Sequence, residues 1–180
     1  MRRLFPVCIL IFLGAVFLAP ALAQQDGEPV LSPPAKTGCK FDDGKTIAVD
    51  YSSPRMRGRR IYGGLVPWGE VWRIGANEAT TFVTNADVMV DGKPVPAGSY
   101  TLFAVPLPTK WTLIISRKTG EWGIPYPGEA FDFLRANMTL SKLPSPLENL
   151  AIAFDRAGAS CSMRVDWDST RASVPITEKR

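Results

Sequence analysis

The sequence has no histidine among its 180 residues. That absence excludes chemistry built on imidazole: the Ser-His-Asp triad, the Cys-His pair, and His-ligated zinc or iron. Cysteine is scarce, with three residues and no Cys-x-x-Cys pair. Long apolar runs are absent after residue 23. Glycine-rich phosphate loops, EF-hand loops and repeats of 20–50 residues are missing as well. The excess of one charge is small, at +4. What is abundant is apolar side chain, at 46%, which excludes wholesale disorder.

Residues 1–23 read as a secretory signal peptide. Arg2 and Arg3 give a positive start, Leu4 to Leu18 is almost wholly apolar, and Ala21-Leu22-Ala23 is an A-x-A cleavage site. The apolar run is short of the about 20 residues that a membrane helix needs. Cleavage leaves a chain without a transmembrane anchor, exported to the periplasm or secreted. Two of the 21 cations and none of the 17 acids lie in that segment, so the charge falls from +4 to +2. Nucleic acid is therefore a poor partner for the mature chain.

Residues 24–38 carry three prolines and no periodicity, and read as a flexible Pro-rich leader. Residues 39–177 read as one domain. Cys39 and Cys161 are candidates for one disulfide in an oxidising compartment, the alternative being two buried free thiols. The enclosed loop of about 120 residues would contribute on the order of 4–5 kcal/mol in the chain-entropy picture.

Period-2 patterns dominate the domain. Ile47, Val49 and Tyr51 share a face, as do Trp111, Leu113 and Ile115, and Leu150, Ile152 and Phe154. The clearest alternation sets Cys161, Met163, Val165 and Trp167 against Ser160, Ser162, Arg164, Asp166 and Asp168. Such strands put one face on a core and one in water. Asp91-Gly92 is a hairpin signal, and Pro106 and Pro108 end the run from Ser99 to Val105. Residues 128–138 fit either one short helix or a strand. The expected fold is an all-β, antiparallel β-sandwich, with a jelly roll or barrel as variants.

One segment concentrates the chemistry: SPRMRGRRIYGGLVPWGEVWRIGANEATTFVT, from Ser53 to Thr84. It holds Arg55, Arg57, Arg59 and Arg60 within six positions, then Trp68, Glu70, Trp72, Arg73, Asn77 and Glu78. With VDGKPVPAGSYTLFAVP, the WTLIISRKTGEWG run and the paired C-terminal segments NLAIAFDR and SMRVDWDSTRASVPI, it resembles a bacterial family, domain of unknown function 2911. The resemblance spans about residues 39–177. It implies export and a single β-rich domain, and it supplies no catalytic or binding residue.

The arginine cluster suits an anion site, because guanidinium forks match carboxylate and phosphate geometry. It equally suits a solvated basic loop, or pairing with Asp42, Asp43 and Asp50. Trp72 is expected to be buried beside Ile74, with Trp68 and Trp122 as exposed stacking platforms or rim packing. The binding reading selects Arg57, Arg59, Arg60, Trp68, Arg73, Asn77, Glu78 and Trp122. It makes the protein a non-catalytic module for a small molecule, a glycan or an envelope protein. The catalytic alternative is a carboxylate-based hydrolase using Glu70 and Glu78 with Arg73. A structural envelope component is the third reading. No cofactor or metal motif is present, and the scattered aspartates match no calcium loop.

Overall fold

A strand hides beneath the N-terminal prolines. The computed structural model describes residues 30–179. The signal-peptide reading and residues 24–29 of the leader lie outside them. Strand β1 covers Pro34–Lys40 and pairs with β2, Thr46–Ser52, from Pro34↔Ser52 to Lys40↔Thr46. The domain therefore starts at Pro34 rather than Cys39, and residues 34–38 are strand, not flexible leader. Ala35, Thr37 and Cys39 turn inward while Lys36, Gly38 and Lys40 are exposed. Prolines at the mouth of an edge strand cost no internal ladder bond, so they masked a real alternation.

The remaining strands are β3 (Thr81–Thr84), β4 (Val88–Val90), β5 (Lys93–Val95), β6 (Gly98–Pro106), β7 (Trp111–Ser116), β8 (Asp132–Ala157) and β9 (Ser160–Glu178). All pairings are antiparallel, in the order β1-β2-β3-β6-β7-β8-β9-β4-β5. The Asp91-Gly92 hairpin forms as its sequence dictates, with φ of +48° and +72° at the two central residues. Residues 128–138 resolve into a single 3-10 turn, Glu129–Phe131, followed by strand.

The nine-stranded sheet folds over on itself, because β8 serves two layers. Its first residues, Asp132–Met138, pair with β7, and Thr139 onward pairs with β9. Pro144 and Pro146 fall where the β8–β9 register shifts, between Lys142 and Leu147, at positions that need no ladder donor. The fold brings the far ends together. The Cys39–Cys161 disulfide joins β1 to β9, with Cα atoms 6.4 Å apart. The Tyr51 hydroxyl accepts a hydrogen bond from the Ile152 amide at 3.1 Å, and the Ser53 hydroxyl donates to the Leu150 carbonyl at 2.6 Å. Two facing layers around one apolar core make the sandwich.

The core is filled by the inward residues of both layers. Val49, Phe82, Leu102 and Leu113 come from one side, and Ile152, Met163 and Val165 from the other. Cys161, Met163, Val165 and Trp167 are all buried, as the alternation requires. Past that point the parity changes: Ala172, Val174 and Ile176 are the buried set. Asp168 explains the change. It has a φ of +52° and sits opposite Leu147, where the register shifts on both sides with the extra residues on β8, and beyond it the buried side chains fall on even rather than odd positions.

One expectation of the alternation needs correcting. Strands β6 and β7 are covered on both faces, and Phe103 and Ile114 on the outer face are fully buried. They form a second small cluster with Ala79, packed against Val71, Val105 and Tyr126. Residues 71–79 and the loop containing Tyr126 supply this cover, and they also build the site.

Candidate functional site

Residues 53–80 leave the end of β2 and return as β3. Pro54 ends the strand, and Arg57 (φ +50°) with Gly58 (φ +69°) turns the chain back. The next residues coil tightly: Leu65 N–H donates to the Arg60 carbonyl and Val66 N–H to the Ile61 carbonyl. That coil drives Ile61 and Tyr62 into the core. Trp72 then lies against β6 as an extra ladder rung, exchanging both backbone hydrogen bonds with Ala104 at 2.8 and 2.7 Å. Ile74 (φ +51°) and Asn77 (φ +56°) make the final turn. The Thr80 hydroxyl closes it by donating to the Ile74 carbonyl at 2.8 Å. Asn77 Nδ2 ties it to the Ser32 carbonyl and the Ser52 hydroxyl.

The arginines do not pair with the acids that the sequence offered. Asp42 is held by Arg156, Asp43 by Lys45 and Asp50 by Lys36. Among the described residues, no carboxylate lies within ion-pair distance of Arg55, Arg57, Arg59, Arg60 or Arg73. Their guanidinium groups clamp backbone carbonyls instead. Arg55 donates to Ser53, Arg57 to Leu31, Arg59 to Met56 and Arg55, Arg60 to Tyr62, and Arg73 to Trp122. The cations shape the loop without forming an ion pair among the described residues.

A pocket of about 270 Å³ opens where this segment meets the loop at Ile124. Trp72 and Trp167 are among its lining residues, with Leu65, Val66, Pro54 and Ile124. The two indoles stack, with centroids 6.0 Å apart and planes 21° apart. Arg59 and Arg73 bring positive charge to the same pocket. Burial pushes the Arg73 pKa down, and the field of Glu78 offsets only part of that shift. The Arg73 guanidinium lies 5.6 Å from the Trp122 ring centre.

The other sequence candidates are distributed around this centre. Trp122 is 54% exposed and Trp68 is 37% exposed, the latter stacked on Tyr62 at 5.8 Å. Trp72 is half-buried rather than buried, because one face lines the pocket. Arg57 and Arg60 stay on the outer turn. Glu78 faces a smaller cleft of about 180 Å³ with Asp50 and Ser52. Glu70 is exposed and lies outside the pocket that Arg73 lines. The structure thus brings Arg59, Arg73 and Trp72 together in one pocket that neither Glu70 nor Glu78 lines.

Sequence reasoning missed Ser32, Trp72, Ile124 and Trp167 as lining residues. Ser32 sat in the segment read as leader, and Trp167 in a strand read as core. Ile124 carried the only local signal, an apolar side chain isolated between Gly123 and Pro125. Among the described residues, no group of three or more His, Cys, Asp or Glu side chains is gathered to hold a metal ion.

Comparison with curated proteins and with solved structures gave no match. The family model described as Protein of unknown function (DUF2911) matches residues 32–176, beginning just ahead of β1 and ending within β9. The matched region contains both layers, the disulfide and the pocket, and the chain belongs to that family.

Proposed function

We propose that the protein is an exported, non-catalytic binding module that takes a small ligand in the Arg59–Trp72–Arg73 pocket. The observation that carries this reading is the pocket's composition: two guanidinium groups without carboxylate partners beside an aromatic lining. Ligand sites are concave and mostly apolar, with a few convergent polar groups. A pocket of about 270 Å³ lies just below the roughly 300–1,000 Å³ that sites for drug-sized ligands span. That size favours a ligand of one ring over a glycan chain or an envelope protein. The hydrolase alternative draws no support from the geometry, since Glu70 and Glu78 do not line the pocket of Arg73.

Export is supported by the signal-like N-terminus and by the disulfide, which suits an oxidising compartment. N-terminal sequencing of protein from fractionated cells should give Gln24 in the exported fraction. A chain that keeps Met1 in the cytoplasm would remove that part of the proposal.

The binding reading is tested by a thermal-shift screen against glycans, organic acids, neutral ring compounds, metals and peptides. Wild type should melt higher with at least one ring-sized compound, and Arg73→Ala should lose that shift. Glu78→Ala should keep it. Stabilisation by no compound, or loss of the shift only in Glu78→Ala, would contradict the assignment.

A further inference from the structure

Among the described residues no carboxylate forms an ion pair with either arginine of the pocket, and that says what its ligand carries. A guanidinium has five N–H donors. Within the described residues, Arg59 uses Nε and Nη2 on the Met56 and Arg55 carbonyls, and Arg73 uses Nη1 on the Trp122 carbonyl. The remaining donors of both groups have no protein acceptor there. Neutral carbonyls orient a guanidinium without cancelling its charge. A cation drawn partly out of water gains most from an anion, because charge-assisted forks are the strong hydrogen bonds. Arg73 is also held by the Trp122 ring and by packing against Gly123, so it is fixed before any ligand arrives.

The rest of the lining is unsuited to an inorganic ion alone. Leu65, Val66, Ile124 and the Trp72 indole offer apolar surface, and an apolar cavity of about 150 Å³ already holds one benzene ring. The volume here leaves room for a ring and a head group. We infer that the pocket binds a single-ring organic anion, with its carboxylate or other oxyanion head on Arg59 and Arg73 and its ring against Trp72. This inference rests on the ligand-binding reading above and adds the charge and size of the ligand.

The test pairs charged and neutral probes of one shape. Phenylacetate, benzoate and phenyl phosphate are titrated by calorimetry and by tryptophan fluorescence, alongside phenylacetamide, benzamide and inorganic phosphate. At least one acid should bind about tenfold or more tighter than its amide, the effect expected of a charged hydrogen-bond partner. Arg59→Gln and Arg73→Gln should each erase most of that preference, read as the ratio of acid to amide affinity within each variant. Arg73 packs against its surroundings, so its variant is compared only if its near-UV spectrum matches wild type. Arg59 is exposed and carries the comparison otherwise.

Each result decides something. Equal affinity for acid and amide overturns the anion inference and leaves a shape-reading pocket. Inorganic phosphate binding as tightly as phenyl phosphate overturns the ring. Failure of all the acids, when the screen finds a neutral or glycan ligand, sinks this inference alone. Failure of every compound in both experiments sinks the binding reading with it.

Discussion

Arg73 donates to the Trp122 carbonyl at 3.0 Å while its guanidinium stands 5.6 Å from the centre of the same residue's ring. One side chain thereby holds two segments together: the return of the 53–80 loop and the turn before Ile124. Gly123 makes the approach possible. A Cβ there would meet the Ala79 Cβ at 2.8 Å and the Arg73 Cβ at 3.1 Å, and the residue has a φ of +84°. Gly123→Ala should therefore destabilise the protein by about 1–3 kcal/mol, read as a lower urea midpoint. A midpoint equal to wild type would show that the two segments are not locked.

The disulfide links strands that are not neighbours in the sheet, and its partners are 122 residues apart. The Cys39→Ser, Cys161→Ser double variant should lose about 2–5 kcal/mol of stability. Protein beginning at Gln24 should show no free thiol when denatured without reductant and two after reduction. Two free thiols before reduction would contradict the bond.

Tyr126 packs on Phe103 with ring centres 5.2 Å apart, and its hydroxyl donates to the Asp132 carboxylate. Desolvation first, and then the hydrogen bond to Asp132, push its pKa up to about 12. A phenol whose folded pKa is raised stabilises the fold below its unfolded pKa of about 10, and loses that contribution as pH rises toward 12. Wild-type stability should fall between about pH 10 and 12, and Tyr126→Phe should fall less steeply. Identical slopes in a pH series of urea melts would refute the coupling.

Thr80 is fully buried, and its hydroxyl donates to the Ile74 carbonyl, where the chain has a φ of +51°. Thr80→Val keeps the shape and removes the donor. It should cost about 1–3 kcal/mol, the penalty for a buried acceptor left unpaired. It should also weaken ligand binding, since Arg73 and Gly75 flank Ile74. Thr80→Ser should restore both. A Thr80→Val variant with unchanged melting and binding would mean that the loop does not depend on this bond.

The strands were legible in the sequence because alternation is a local signal. Met163, Val165 and Trp167 could be assigned inward without knowing what they meet. The change of face at Asp168 was not legible, since a single residue in a left-handed conformation leaves no mark on composition. The outer burial of Phe103 and Ile114 was hidden for another reason: their cover comes from residues far away in the chain. The same holds for the site. Arg59 and Arg73 could be picked out from one dense segment, while Trp72 was expected in the core beside Ile74. That they share a pocket with Trp167, and that Glu78 turns away to Asp50, depends on the β9 layer and on β2. The alternating side chains of β1 were overlooked because prolines were read as loop.

The most direct test of the account is nuclear magnetic resonance of uniformly 15N-labelled protein, titrated with the tightest-binding compound from the screen. The Trp72 and Trp122 indole signals should move together and saturate with one ligand per chain, while the amides of the β4–β5 hairpin stay still. Saturating shifts confined to residues around Glu78 and Asp50, or to the hairpin, would place the site elsewhere and contradict the Arg59–Trp72–Arg73 pocket.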